Sequence, residues 1–154
     1  MFRIASGAPM LLVPYKGSSA AHPDLLAGRT ALYIDTISAI QAQAKAGNVR
    51  AIAVSTRKRS MSLPDVPTAD EPGLKGYDAN TNGGFLAPAG TPKAIVAKLN
   101  AEINAALKLP DVRAKLEAAG IEVQGGTPQE YAALIKSDLA KWGKVVKEAG
   151  IQPD

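Results

Sequence analysis

Three short apolar runs, separated by stretches of helical character, constrain the fold of this chain more than any other feature. They lie at residues 10–13, 31–34 and 51–54. Each run is apolar throughout rather than alternating, which is typical of strands covered on both faces. Strands that alternate with helices of about ten residues indicate βαβ units and a parallel sheet. The sequence therefore predicts an α/β fold.

Two helices are predicted between these strands. The first ends at Gly28, a residue suited to the C′ position of a helix. Pro23 lies inside it, so we expect this helix to start late or to begin as a loose turn. The second covers residues 37–46, which are rich in alanine, glutamine and isoleucine and stop at Gly47.

Residues 57–83 break the alternation and are predicted to be a long connection. Proline and glycine are frequent there, and the apolar residues show little periodicity. Long connections in compact proteins are usually functional or link lobes, so we place a lobe boundary here. Its acidic residues Asp65, Asp70 and Glu71 and the basic run at 57–59 are expected to be solvated.

The second half is predicted to be mainly helical. Thr91 and Pro92 form a helix start, with a hydroxyl cap and a proline at the first helical position. Asp111 is expected to cap a short helix that ends at Gly120. Two further strands are predicted, at residues 85–87 and 121–124.

A capping box opens the last predicted helix, because Thr127 is followed three residues later by Glu130. This helix stops at Gly150 and must cover something apolar, since tertiary burial holds most helices in place. Its apolar stripe, in which the two aromatic residues are expected to be core residues, consists of Tyr131, Leu134, Ile135, Leu139, Trp142, Val145 and Val146.

Composition excludes several classes of protein. Of the 154 residues, 46% are hydrophobic and 21% are charged, which is close to globular averages and excludes wholesale disorder. The absence of cysteine rules out disulfides, zinc–thiolate sites and a cysteine nucleophile. With a single histidine, no metal site is predicted, and because no P-loop or dinucleotide motif matches, no cofactor is predicted.

The net charge is +4 and is spread along the chain. Nucleic-acid binders more often cluster their basic residues, so no nucleic-acid partner is predicted, and the positive charge favours anionic small molecules. No apolar run is long enough to span a membrane. The N-terminus lacks a long apolar signal core, so as written nothing directs export and the chain would stay in the cytoplasm.

Candidate binding residues lie where the predicted strands end, because ligands of open α/β sheets bind outside the carboxyl ends of strands. The loop after the first strand runs into a helix N-terminus, where free N–H groups and the helix dipole favour an anion. Its lysine, hydroxyls and glycine suit a carboxylate. The candidate residues are Tyr15, Lys16, Gly17, Ser18 and Ser19 after the first strand, and Asp35 and Thr36 after the second.

These residues also have a purely structural interpretation. Ser18 or Ser19 would equally cap the first helix, and Asp35 or Thr36 the second. His22 is interpreted as a surface residue, because no second histidine and no Ser–His–acid order accompany it. No paired carboxylates are fixed on one face, so the sequence gives no sign of an enzyme.

An ordered series of short motifs resembles one known family. The motifs include Val13-Pro14-Tyr15-Lys16-Gly17-Ser18, Asp24-Leu25-Leu26-Ala27-Gly28, Leu63-Pro64-Asp65-Val66-Pro67-Thr68 and Leu86-Ala87-Pro88-Ala89-Gly90-Thr91-Pro92. The series is similar to the C-terminal half of the tripartite tricarboxylate transporter substrate-binding proteins, the Bug or TctC family. It covers nearly the whole chain.

The resemblance implies a type II periplasmic-binding-protein-like fold of the Venus-flytrap kind, with parallel-rich sheets. This chain would hold one complete lobe and the C-terminal part of the other. Residues 7–78 would form the second ligand-binding lobe, residues 79–90 a crossover or hinge, and residues 91–154 the C-terminal helical part of the first lobe.

The resemblance also implies a non-catalytic, periplasmic function. The protein would capture a small organic acid or amino acid between two lobes and deliver it to a membrane permease. Residues 15–19 and the segment around Asp35 would face the cleft.

The family's N-terminal half, with its export signal, has no counterpart in this sequence, which is expected to be truncated. We therefore expect the uncovered apolar stripes to cause homo-oligomerisation or pairing with a separate N-terminal fragment. The alternative function is a fragment that binds no solute and acts as a structural or protein-interaction module.

Overall fold

Six α-helices form within residues 1–151, which are the residues that the computed structural model describes. The last three residues of the predicted C-terminal part, 152–154, lie outside that range. In chain order the helices are α1 Phe2–Ser6, α2 Ser18–Leu26, α3 Ile37–Lys45, α4 Lys93–Ala106, α5 Pro110–Ala118 and α6 Pro128–Ala149.

The chain divides into two compact units. The α2–α3 unit contains residues 2–81 and 117–122, and the α4–α6 unit contains Met1, residues 82–116 and the described chain from 123 onward. Within residues 1–151 no helix combines the length and the apolar character needed to cross a membrane.

The predictions for the long helices are confirmed. The first turn of α6 carries the capping box, in which the Thr127 hydroxyl accepts from the Glu130 N–H while the Glu130 carboxylate accepts from the Thr127 N–H. Gly150 ends α6 in the left-handed conformation at φ 65°. The helix predicted at residues 37–46 corresponds to α3 and the helix predicted after Pro92 to α4.

The predicted start of α2 is wrong. This helix begins at Ser18 and continues through Pro23 to Leu26. Proline fixes φ near the helical value and removes only one backbone donor. Hydrogen bonds from Ser18 and His22 to Asp35 hold the turn that precedes the proline.

Two predicted caps are also wrong. The Thr91 hydroxyl donates backward to the Pro88 carbonyl at 2.8 Å, and Pro92 takes the N-cap position of α4. Asp111 lies inside the first turn of α5, because Pro110 is already helical there. An acidic residue in a first turn still opposes the positive end of the helix dipole.

None of the five segments predicted as strands forms a ladder within the described residues, where a single parallel bridge joins Val54 and Thr68. The segments at 10–13 and 31–34 make no backbone hydrogen bond to another described segment, and Leu11 is 92% exposed. A short apolar run sets a preference for burial, whereas a strand also requires a neighbour that pairs with it. That neighbour is missing for these segments in the part of the chain that the structure describes.

The core of the described chain lies entirely in the α2–α3 unit. Seven of its residues are buried: Ala21, Gln41, Val54, Ser60, Thr68, Ala69 and Tyr77. The predicted core positions Tyr131 and Trp142 on α6 are only half-buried. Burial therefore follows tertiary contact rather than helical regularity.

The accessible surface is large for the chain's mass. It is 11474 Å², whereas two wholly separate compact domains sharing 15.9 kDa would expose about 8,900 Å² together. The excess is therefore about 2,600 Å² and belongs to the surfaces of the units themselves.

Candidate functional site

The first turn of α2 presents polar groups to solvent. Gly17, at φ 110°, precedes the helix in a conformation that glycine adopts readily. The N–H groups of Ser18 and Ser19 have no acceptor within the described residues. Lys16 and Ser19 are exposed and make no hydrogen bond or ion pair there either. These donors and the positive end of the helix dipole form a surface that favours an anion.

Behind this turn, the Asp35 carboxylate gathers three donors. The Ser18 hydroxyl and the Thr36 N–H both donate to Oδ1, each at 2.8 Å. His22 Nε2 lies 2.7 Å from Oδ2. The Asp35 side chain is 7% exposed and that of His22 is 20% exposed. Asp35 therefore joins the N-terminal end of α3 to two successive turns of α2.

A second carboxylate holds Tyr15. The Tyr15 hydroxyl donates to Asp24 Oδ2 at 2.8 Å, and Arg29 Nη1 donates to Asp24 Oδ1 at 2.9 Å. The Tyr15 hydrogen bond, followed by that of Arg29, lowers the pKa of Asp24, while the same bond to Asp24 raises the pKa of Tyr15. These contacts fasten the loop that carries Lys16 and Gly17 onto α2.

The structure brings together some of the predicted site residues and leaves others apart from them. Ser18, Asp35 and Thr36 share one hydrogen-bonded cluster, whereas Tyr15 bonds to Asp24 and the Lys16 and Ser19 side chains point to no described partner. The structural interpretation of Asp35 and Thr36 as side-chain caps is wrong: Thr36 is the N-cap of α3 but makes no side-chain cap bond.

Sequence reasoning missed the role of His22, which was interpreted as a surface residue. A signal was available, because His22 follows Ser18 by four residues and such residues lie on one face of a helix. Ser18 and His22 both bond to Asp35 and not to each other. This arrangement differs from a nucleophile activated by its own base.

Within residues 1–151, no three or more His, Cys, Asp or Glu side chains form a group that could hold a metal ion. The chemistry that the site offers is hydrogen bonding and positive charge at an exposed helix end, backed by a carboxylate whose oxygens are already engaged. Such an arrangement can bind and orient an anionic group.

The comparisons with known proteins agree on one family. The family model of the tripartite tricarboxylate transporter family receptor, TctC, matches residues 1–151. The chain belongs to this family. Among curated TctC-like relatives, BugT of Bordetella pertussis is 35% identical over 150 residues, covering 97% of this chain and 46% of BugT. A UPF0065 protein from the clcB-clcD intergenic region of Pseudomonas knackmussii is 38% identical, and the match covers 92% of this chain and 84% of that protein.

Solved structures similar to this TctC family member are periplasmic binding proteins and related chains. A protein of R. palustris solved with adipate matches with a TM-score of 0.87 and 38% identity, covering 99% of this chain and 51% of that one. The periplasmic binding protein BugD matches with a TM-score of 0.81 and 35% identity, covering 99% and 52%. MatC of Rhodopseudomonas palustris, solved with bound malate, matches with a TM-score of 0.70 and 31% identity, covering 94% and 50%.

These matches establish the fold class and its extent. The chain has a partial periplasmic-binding-protein-like α/β fold, as the sequence predicts. It spans about half the length of the solved chains, and 42% of a curated relative from Pseudomonas sp. that is 44% identical to it.

Proposed function

We propose that this chain contributes to a periplasmic solute-binding protein that captures a small carboxylate-bearing solute for a tripartite tricarboxylate-type transporter, without catalysing a reaction. Membership of the receptor family supports the transport role. The adipate and malate bound to two solved relatives support a dicarboxylate as the class of solute. BugD supports the periplasm as the place of action.

The exposed first turn of α2 carries the proposal. Two backbone N–H groups, the Ser19 hydroxyl and the Lys16 ammonium are all donors without acceptors among the described residues. A carboxylate is the complementary acceptor, because its two oxygens accept several hydrogen bonds at once. In this proposal residues 7–78 form the ligand-binding lobe, residues 79–90 the crossover, and residues 91–154 belong to the other lobe.

A thermal-shift screen of the full chain tests solute binding. Adipate, malate, citrate, glutamate and benzoate are added in turn, and a bound acid raises the unfolding temperature by mass action. We expect a dicarboxylate to give the largest rise. Lys16→Ala should weaken its binding roughly tenfold. The control, Lys58→Ala, removes another exposed lysine and should leave binding unchanged. A flat response to every acid would contradict the proposal.

A second candidate function rests on the uncovered face of α6. Residues of this helix and Asn82 line a shallow groove of about 350 Å³, in which Leu139 is 71% exposed. We propose that this face mediates association with a second copy of the chain. Pairing with a polypeptide that corresponds to the unmatched half of the solved relatives is the alternative outcome.

Gel filtration with light scattering distinguishes these outcomes. We expect the chain to elute as a dimer, and Leu139→Glu to convert it to a monomer. Met61→Glu is the matched control, because Met61 is 77% exposed in the other unit. A monomeric wild-type chain would exclude self-association, and the same measurement after adding the unmatched half of BugT would test complementation.

A further inference from the structure

We infer that His22 is a positioning residue of the candidate site, which acts through Asp35 to fix the Ser18 hydroxyl and the Thr36 backbone. The inference rests on the proposed function of the first turn of α2. It concerns a side chain that lies behind the exposed donors.

The hydrogen bonds of Asp35 show why His22 controls its orientation. Oδ1 accepts from Ser18 and Thr36, so the donor on Oδ2 completes the set of hydrogen bonds that fixes the rotation of the carboxylate. A carboxylate oxygen only accepts, so the 2.7 Å contact places a hydrogen on His22 Nε2. Because the side chain is nearly buried, loss of that donor would leave Oδ2 without a partner.

The His22 ring is itself held in place. Its centroid lies 5.9 Å from that of Tyr33, and the two rings meet edge to face at 89°. Aromatic pairs prefer this arrangement. His22 therefore connects Asp35 to the Tyr33 ring.

The consequence for a solute follows from the Ser18 hydroxyl. A serine carries one hydrogen, and Ser18 donates its hydrogen to Asp35. The hydroxyl can then only accept from a solute. A carboxylate therefore meets its donors at Lys16, Ser19 and the helix N–H groups, while a hydroxyl on the same solute is matched to Ser18. This pattern favours malate over succinate, which has the same carboxylates without the hydroxyl.

Two variants of His22 separate positioning from bulk. His22→Gln keeps an N–H donor on a flexible side chain, and His22→Leu removes the donor while keeping an apolar side chain of similar reach. The Thr36 amide is observed by NMR in the free chain, through its chemical shift and its exchange with solvent. The preference for malate over succinate is then measured by titration with each acid.

In His22→Leu we expect the Thr36 amide to lose protection and the preference for malate to fall roughly tenfold. In His22→Gln both should be largely restored. Adding Asp35→Asn to His22→Leu should bring little further loss, because both changes break one network. Circular dichroism checks that the total helix content of each variant is unchanged, and exchange of the α2 amides in the same NMR experiment checks that this helix remains folded.

The possible negative results have different consequences for the positioning role of His22 and for the proposed function. If both acids bind but the preference and the Thr36 amide are unchanged in His22→Leu, the positioning role is wrong and the proposed function stands. The same conclusion follows if His22→Gln is as damaging as His22→Leu. If neither acid binds the wild-type chain, the proposed function fails, and the role of His22 in it fails as well.

Discussion

Residues 57–81 are the part of the predicted connection that lies in the α2–α3 unit. Burial occurs there without regular secondary structure, whereas α6 is regular secondary structure without burial. The connection has no helix or strand of its own, yet Ser60, Thr68, Ala69 and Tyr77 are buried in it. α6 is the longest helix of the described chain and has caps at both ends, yet none of its residues is buried. Secondary structure therefore does not by itself identify the core of this molecule.

Side chains supply the order that the connection lacks in its backbone pattern. Glu71 accepts from Arg59 Nε at 2.9 Å and from the Thr68 N–H at 3.0 Å, and the Thr68 hydroxyl accepts in return from the Glu71 N–H. Asp70 accepts from the Gly76 N–H at 2.6 Å. Asp70 and Glu71 are solvated in part, as the sequence predicts, but they also close the turns of the connection.

Local signals in α6 act differently. Its capping box and its left-handed glycine satisfy the helix ends, and they contribute nothing to the coverage of its apolar face. The connection is ordered by side-chain hydrogen bonds outside any helix, including one that spans 12 residues, and α6 is ordered by contacts along the helix itself. Substitutions in both units test this difference.

The largest effect is expected from Tyr77→Ala. This side chain is 6% exposed and meets Phe2 edge to face at 6.0 Å, so its removal leaves a cavity. We expect the free energy of unfolding to fall by about 3 kcal/mol. Leu139→Ala on α6 should change it by less than about 0.5 kcal/mol. Urea denaturation measures both, and equal losses would contradict the comparison.

Replacing glycine with alanine should have opposite signs at a turn of the α2–α3 unit and inside α6. At Gly120, φ is +77° and a Cβ would lie 3.1 Å from the Ser38 nitrogen, so we expect Gly120→Ala to destabilise by about 2 kcal/mol. Gly143 lies inside α6, and a Cβ there would meet nothing within 4 Å. Gly143→Ala should stabilise by about 0.5 kcal/mol. Thermal melts measure both signs, and a stabilising Gly120→Ala would show that the turn relaxes.

A cap substitution should act only within α6. Thr127→Ala removes the hydroxyl that accepts from the Glu130 N–H, and we expect a loss of about 1 kcal/mol. Hydrogen exchange of the first-turn amides should speed up, while the amides around Thr68 should stay protected. If the amides around Thr68 also exchange faster in this variant, the helix and the connection do not unfold independently.

The smallest effect on stability is expected from lowering the pH. The hydrogen bond from Arg59, followed by the N–H of Thr68, lowers the pKa of Glu71 from 4.5 to about 2. A carboxyl whose pKa is lower in the folded state stabilises that state above its unfolded pKa, so this contribution should decline as the pH falls from about 4.5 toward 2. Glu71→Gln should flatten the dependence of the unfolding temperature on pH in that range. An unchanged profile in Glu71→Gln would show that the network contributes no stability.

The sequence could predict those elements whose signals are local. The box at Thr127 and Glu130 and the glycine at Gly150 define α6, because each involves residues within one turn. The short apolar runs could not be placed in the same way, since a strand depends on a partner that the run does not specify. The five segments that were predicted as strands and form none illustrate this limit.

The candidate site was predictable in part for the same reason. The loop after the first apolar run does lead into a helix N-terminus, with Gly17 as the N-cap, although the helix starts earlier than predicted, at Ser18. The bond from His22 to Asp35 joins residues 13 positions apart. The spacing of Ser18 and His22 places both on one face of α2, but it does not identify Asp35 as their partner. The network of Arg59, Thr68 and Glu71 likewise depends on the fold of the whole connection.

The finished ends of α6 affect how any partner would meet it. A segment that folds only on contact loses conformational entropy at the moment of binding, which weakens the complex. The backbone of α6 is already helical, with the capping box of Thr127 and Glu130 at one end and the left-handed Gly150 at the other. A partner would therefore bind a preformed helix with an apolar face, and ordering this helix would cost little conformational entropy at the moment of binding.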